Sequence, residues 1–345
     1  MTPLSYLKAP LWILGIAGTD KSPRKNPLLG SKRLNRWGLH RMRVTIAARF
    51  AAARRRRLGA VLDPAERAFF DENGYVLIQD FLPEDLYRAL KGEVFGGAFQ
   101  SREMRQGQAV TRMTPLPPHL LAANPALEKA VHSVRALDLI RYAASQGGVP
   151  ICFIQTVLVD PGEEPAKDPQ SDVHADTFHA TSKAWLFLQD VGEDDGPFCF
   201  VPGSHRLTPE RLKWEYQCSL TAAEDPRSHH ASGSFRIRPD ELEKLNLPQP
   251  VKMTVPENTL VVADTFAFHG RTPSPKRTVR TELHWHMRRN PFLPWTGLDV
   301  KALPGIRDRA LMLNFAVEDF LEKRGGARSV WRPVGKVAVN SPVSR

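Results

Sequence analysis

The sequence predicts a mainly β fold with flanking α-helices. Short apolar runs such as Trp185-Leu-Phe-Leu and Leu260-Val-Val-Ala sit between turns rich in Gly, Pro, Asp and Ser, which is how strands are punctuated. From Thr278 the polarity alternates. Thr278, Arg280, Glu282, His284 and His286 share one face, and Val279, Thr281, Leu283, Trp285 and Met287 share the other. At 345 residues, 42% hydrophobic and 25% charged, the chain is ordinary globular material with ample length for a buried core. Length alone allows two domains. We assign residues 63–324 to a single one, between a basic arm (1–62) and a basic, pattern-poor stretch (325–345) expected to be a loose tail.

The arm holds fourteen Lys and Arg against the single acid Asp20, a charge of +13. The whole chain is +11, so the remainder carries −2 and the basicity belongs to the arm. Residues 9–18 form an apolar run far short of the ~20 needed to span a bilayer. The basic stretch after it opposes export. Residues 20–33 read as a linker. Residues 34–58 suit a helix with Leu39, Met42, Ile46, Phe50 and Ala53 on one stripe. Such a helix either lies on an anionic membrane surface, making residues 1–58 a peripheral contact, or packs against the body. Nucleic acid is the weaker partner, because the Arg54–Arg57 run lacks interleaved aromatics or a reader motif.

The body opens on a helix signal. Asp63 offers an N-cap, Pro64 takes the first helical position and Glu66 follows three residues after the cap. Gly74 ends this helix, and residues 75–79 form a strand. Pro83 opens a second helix through Phe95, residues 97–125 read as loop, and residues 125–144 as a helix. A strand at 151–160 and a Pro/Gly loop at 160–172 follow. Residues 206–220 and 239–245 read as helical insertions. The three cysteines, Cys152, Cys199 and Cys218, lack metal spacing and read as thiols, in keeping with a cytoplasmic setting.

The chemistry centres on His174-Ala-Asp176 and a distant His269 that ends an apolar strand. In an extended segment His174 and Asp176 point to one side while Ala175 points away. Two imidazoles and a carboxylate can hold one face of an Fe(II) ion and leave its other positions open.

The three-residue motif alone is weak, and its surroundings give it weight. Downstream come Pro197-Phe-Cys-Phe-Val-Pro-Gly-Ser-His205-Arg206, then Asp264-Thr-Phe-Ala-Phe-His269-Gly270, then Arg277-Thr-Val-Arg280-Thr-Glu-Leu-His-Trp; upstream is Phe69-Phe-Asp-Glu-Asn-Gly-Tyr-Val-Leu-Ile. This ordered series resembles the phytanoyl-CoA dioxygenase family of Fe(II)/2-oxoglutarate oxygenases over roughly residues 63 to 290. The resemblance implies a double-stranded β-helix (a cupin-like jelly roll) with Fe(II) on His174, Asp176 and His269. It also implies 2-oxoglutarate and O₂ as co-substrates, and residues 97–125 as part of the pocket cover. Arg280, eleven residues after His269, is the implied partner of the distal 2-oxoglutarate carboxylate, with Arg277 as its substitute and Gln155 facing the co-substrate. If the polar face of residues 278–286 pointed outward, the Arg280 assignment would fall. A buried dicarboxylate needs a cation.

The other histidines carry lesser expectations. His205 shapes a loop, His179 either touches substrate or lies at the surface, and His284 or His286 could replace His269. Departures from the family pattern are Ala175, the absence of Trp before His174, and Arg271 after Gly270. The intact Asp176 favours hydroxylation over halogenation. The expected activity is hydroxylation of a C–H bond in a small-molecule or lipid substrate. The contrasting reading is a non-catalytic metal- or ligand-binding barrel.

Overall fold

The computed structural model describes residues 9–160, 168–303 and 305–344. The first eight residues of the arm, and residues 161–167 of the loop expected before the metal motif, lie outside them. Strands are β1 Tyr75–Ile78, β2 Ala98–Gln106, β3 Ala109–Pro115, β4 Ile151–Val159, β5 Ser182–Phe187, β6 Phe198–Phe200, β7 Val251–Lys252, β8 Leu260–Asp264, β9 His269–Arg271, β10 Thr278–Met287 and β11 Arg332–Ala338. Helices of seven residues or more are α1 Ala9–Ile16, α2 Leu39–Leu58, α3 Pro64–Asn73, α4 Glu84–Gly96, α5 Pro125–Val131, α6 Val134–Ala143, α7 Pro209–Thr221 and α8 Ala310–Lys323.

Every strand pairing is antiparallel. The larger sheet runs β1-β8-β5-β10-β4-β3-β2-β11, and the smaller β7-β6-β9 faces it. This two-sheet jelly roll with helices outside is the double-stranded β-helix that the resemblance implies.

β10 shows how the sequence builds it. Its apolar face, Leu283, Trp285 and Met287, is fully buried beneath α4, α5 and α6, with Ile154, Leu186 and Val262 from neighbouring strands. Trp285 Nε1 donates to the Val131 carbonyl at 3.3 Å, so even the one polar atom there is satisfied. Each such side chain contributes about 2–3 kcal/mol of transfer free energy. The opposite face of β10, with Arg280, Glu282 and His284, is buried between the two sheets. Trp185, Phe187, Phe198 and Phe200 fill the rest of that interior.

The α3 boundaries follow their sequence signals. Asp63 accepts from the main-chain N–H groups of Ala65 and Glu66. Gly74 closes the helix at φ +84°, and a Cβ there would sit 2.4 Å from His205 Nδ1. Only glycine meets both demands.

Four expectations need correction. Residues 97–125 are not a loop, since β2 and β3 form a hairpin there that extends the larger sheet. The helix expected over 125–144 is two, because Ser133 caps a new start by accepting from Ala136 N–H. Residues 332–338 of the expected tail form β11 on the edge of β2, and Arg112 fastens the end by donating to the carbonyls of Ala338, Val339, Ser341 and Pro342.

The arm supplies the fourth. α2 does not bury the stripe Leu39, Met42, Ile46, Phe50 and Ala53; it buries Val44, Ala47 and Ala51 with Arg43 and Arg54. Apolar periodicity misses this face because its arginines are buried against backbone carbonyls. Arg43 donates to the carbonyls of Gly15, Ile16, Gly18 and Asp20 at the end of α1, while Arg54 donates to those of Ser145, Pro291 and Leu293. Arg55 reaches Asp264 at 2.7 Å. Half of the Arg54–Arg57 run is therefore internal structure.

Candidate metal centre

His174 and His269 are directly opposed in an antiparallel bridge and exchange both main-chain hydrogen bonds, at 2.8 and 2.9 Å. Opposed residues project to the same side, so the rings meet with centroids 4.7 Å apart. Asp176, two residues on, returns to that side, its main chain anchored on the Thr265 carbonyl. Its Oδ1 lies 3.6 Å from both His174 Nε2 and His269 Nε2.

Outer contacts fix the tautomers. His174 Nδ1 meets the Asp172 carbonyl at 2.6 Å, and His269 Nδ1 meets the Ala267 carbonyl at 2.9 Å. A carbonyl only accepts, so each Nδ1 carries a proton and Nε2 is the ring nitrogen turned toward Asp176 Oδ1. His269 Nε2 is buried with no hydrogen-bond partner among the described residues. Burial holds His174 down to about 4, with His269 pushing the same way and Asp176 opposing. Burial alone would raise Asp176, yet Lys183, whose Nζ sits 2.7 Å from Oδ2, and the two histidines hold it well below the usual carboxylate range. Two imidazole Nε2 atoms and an ionised carboxylate converging on one point are the donor set a divalent iron accepts.

A cavity of about 250 Å³ adjoins the triad, lined among others by Gln155, Lys183, Trp185, Arg271, Arg280 and His284. Arg280 and His284 of the polar face of β10 line it, so this part of the face points inward rather than to solvent. Arg280 is buried, whereas Arg277 is exposed. Arg280 Nε donates to Glu282 Oε2 at 2.9 Å and one Nη to the Gly196 carbonyl; its other Nη donates to no described residue. Gln155 faces the cavity but donates to Glu282 Oε1 at 2.7 Å. Arg271 is taken by Asp168, at 2.6 and 2.9 Å.

None of the remaining histidines joins the triad among the described residues, and His286 is half-buried near Asp176. His284 lies between Phe153 and Trp185, with ring centroids at 4.8 and 5.4 Å. His205 packs on Phe70 beside Gly74. His179 is buried rather than at the surface, and its Nδ1 bonds the Ala180 carbonyl. A larger cavity of about 730 Å³ lies under α2, and it does not include the triad.

Sequence reading missed Lys183, Glu282 and Lys21. The signal for Lys183 was a single cation inside the apolar run Ser182-Lys-Ala-Trp-Leu-Phe187. Glu282 was the one acid on the polar face of β10. Nothing in the arm pointed to Lys21, whose Nζ donates to the Asp176 main-chain carbonyl.

The sequence profile described as Phytanoyl-CoA dioxygenase (PhyH) matches residues 70–273. The chain belongs to the phytanoyl-CoA dioxygenase family. This is a family of Fe(II)/2-oxoglutarate-dependent oxygenases, and the PhyH match spans the His-x-Asp motif, the Val-Pro-Gly-Ser-His loop and the distal His269. A comparison with curated proteins gives no match. Among solved structures the PhyH chain is similar to the non-heme alpha ketoglutarate dependent epimerase SnoN from nogalamycin biosynthesis, at 19% identity over 69% of this chain and 93% of that one (TM-score 0.42). It is also similar to HygX from Streptomyces hygroscopicus with nickel and 2-oxoglutarate bound, at 16% identity over 72% and 94% (TM-score 0.43). A third is the carbocyclase SnoK from nogalamycin biosynthesis, at 21% identity over 66% and 84% (TM-score 0.39).

Proposed function

We propose that this family member hydroxylates a C–H bond of a small molecule or lipid. In this reading His174, Asp176 and His269 hold Fe(II), and Arg280 binds the distal carboxylate of 2-oxoglutarate. The observation that carries it is the convergence of the two Nε2 atoms with Asp176 Oδ1, at 3.6 Å each. A ferrous ion bound there supplies O₂ activation coupled to oxidative decarboxylation of 2-oxoglutarate to succinate and CO₂.

The chain's own residues prepare the site. The Asp172 and Ala267 carbonyls hold the two rings in their ligating tautomer. Lys183 keeps Asp176 ionised through Oδ2, leaving Oδ1 toward the histidines. The unengaged Nη of Arg280 is the group for the co-substrate, and Glu282, itself held by Gln155, orients that guanidinium through Nε. Trp185 and Phe198, 4.4 Å apart by ring centroids, form an apolar wall of the cavity. The intact Asp176 supports an outcome in which oxygen rather than halide is transferred.

The arm supports a peripheral contact with an anionic bilayer. Leu11, Ile13, Leu14, Trp37 and Met42 are exposed, and the surrounding sequence is strongly basic. Among the described residues no helix is long and apolar enough to cross a membrane. Co-sedimentation with phosphatidylserine vesicles tests this, and equal recovery with neutral vesicles rejects it.

The catalytic reading is tested by turnover. Protein supplied with Fe(II), 2-oxoglutarate and ¹⁸O₂ should form succinate containing one ¹⁸O, and Asp176→Ala should not. With a substrate in hand, the product should gain one ¹⁸O atom. A product formed without oxygen gain rejects hydroxylation while leaving the oxygenase assignment intact.

A further inference from the structure

The inner face of β10 has two cationic ends. Arg280 lies at one. Arg288, one residue past the other end, follows eight residues later, roughly 26 Å away along an extended chain. A five-carbon dicarboxylate on Arg280 cannot reach Arg288, so the second cation faces something else.

Arg288 does not stand alone. It meets the arm, donating through Nη2 to the Thr19 carbonyl, and its Nε is buried without a partner. Asn290 donates to the Ala17 carbonyl at 3.0 Å. The arm then lays Lys21 against the site, with Nζ on the Asp176 carbonyl. Its path is built in, since Gly233, at φ +84°, approaches Lys21 so closely that a Cβ would fall 1.9 Å from the Lys21 carbonyl oxygen. Lys183 pairs with Asp176, and Lys21, His286 and Arg288 are close enough to feel its charge; all five side chains are half-buried.

Charge balance at this rim is poor. Asp176 is the one carboxylate that Lys21, Lys183 or Arg288 contacts among the described residues, and Lys183 already takes its Oδ2. Arg288 feels the attraction of Asp176 first and of Asp20 second, and Asp20 already accepts from Ser22 N–H and the Asn26 amide; Arg236 is attracted by Asp172 and Asp176. A metal dication and a dianionic co-substrate cancel each other, and Arg280 cancels Glu282. Lys21 and Arg288 share the pull of Asp176 with Lys183, and neither forms an ion pair of its own among the described residues, in a half-buried place where an under-compensated cation is costly.

We propose that the substrate carries an oxyanionic group, a carboxylate, phosphate or sulfate, that docks between Lys21 and Arg288, and that Lys21 is a specificity-determining residue supplied by the arm. This rests on the oxygenase reading above and names its substrate class. Arg288 would donate to the oxyanion from the Nε that has no partner among the described residues, while Lys21 acts as a point charge beside it.

The test is calorimetric binding to the full chain loaded with Ni(II) and saturating 2-oxoglutarate, so that Arg280 is occupied. The probes are hexanoate, hexyl phosphate and hexyl sulfate, with hexanol as the neutral control. At least one anionic probe should bind at least tenfold more tightly than hexanol. Lys21→Met and Arg288→Met should each remove at least tenfold of that affinity, and Lys21→Arg should retain it. Equal binding of hexanol and all three anions overturns the proposal, as does anion binding that both Met variants leave unchanged. The visible charge-transfer band of the Fe(II)·2-oxoglutarate complex, recorded anaerobically on the same proteins, separates the failures. A normal band without anion preference rejects only the substrate class. No band in the unmodified chain rejects the oxygenase reading and this proposal with it.

Discussion

Arg54 in α2 and Arg280 in β10 are both nearly inaccessible, at 2% and 6% exposure, yet they serve different ends. Arg54 spends Nε and both Nη groups on the carbonyls of Ser145, Pro291 and Leu293 and the Ser145 hydroxyl. Arg280 spends Nε and one Nη on Glu282 and Gly196 and keeps the other beside an open cavity. A saturated guanidinium is a cross-link; one with a donor left over next to a void is a binding group. Residue counts along the arm cannot make this distinction, which is why its arginine run suggested membrane or nucleic acid while half of it holds the fold together.

The widest test of buried saturation is pH. Burial holds His230 and His286 down to about 4, and His179 and His205 to about 3. The unfolded chain binds these protons as pH drops through about 6.5, and the folded chain does not. Stability is therefore present above pH 6.5 and lost below it, by about 1.4 kcal/mol per histidine per pH unit, or on the order of 5 kcal/mol for the four. Urea unfolding of metal-free protein at pH 7.5, 6.5 and 5.5 should show this fall. A flat profile would mean that these rings are solvated.

Arg54→Leu strands several buried acceptors at once and should cost about 3 kcal/mol in the same assay. Its 2-oxoglutarate affinity should stay unchanged. Arg280 should behave in reverse, once its partner is removed too. Arg280→Leu alone leaves Glu282 buried and unpaired, which destabilises strongly. The Arg280→Leu/Glu282→Leu pair should recover most of that stability while 2-oxoglutarate affinity falls about 100-fold, roughly 2.7 kcal/mol. Recovery of affinity in the pair would remove Arg280 from the co-substrate site. The smallest effect belongs to Arg56→Gln/Arg57→Gln, both exposed, which should stay within about 0.5 kcal/mol of the parent.

Much of the site was legible because its chemistry is local in sequence. His-x-Asp places two side chains on one side of an extended segment, and alternation in β10 separates a polar face from an apolar one. The third member, His269, needed the family pattern, since its antiparallel pairing with His174 spans 95 residues of intervening fold. The β2–β3 hairpin was misread because its Arg102, Arg105 and Arg112 break the apolar pattern. Arg102 is spent on Asp319 in α8, and Arg112 on Glu103 and the C-terminal carbonyls. Lys21 was invisible for a related reason: its role depends on where the arm docks, which Gly233 and Arg288 decide from more than 200 residues away.

The central claim is that His174, Asp176 and His269 hold Fe(II) beside a 2-oxoglutarate site at Arg280. Anaerobic titration of the purified chain with Fe(II) and 2-oxoglutarate tests it most directly. The account predicts a weak visible metal-to-ligand charge-transfer band that disappears in His174→Ala and needs far more 2-oxoglutarate in Arg280→Leu/Glu282→Leu. A folded, metal-loaded protein that gives no band, or a His174→Ala variant that gives the same band as the parent, would contradict it.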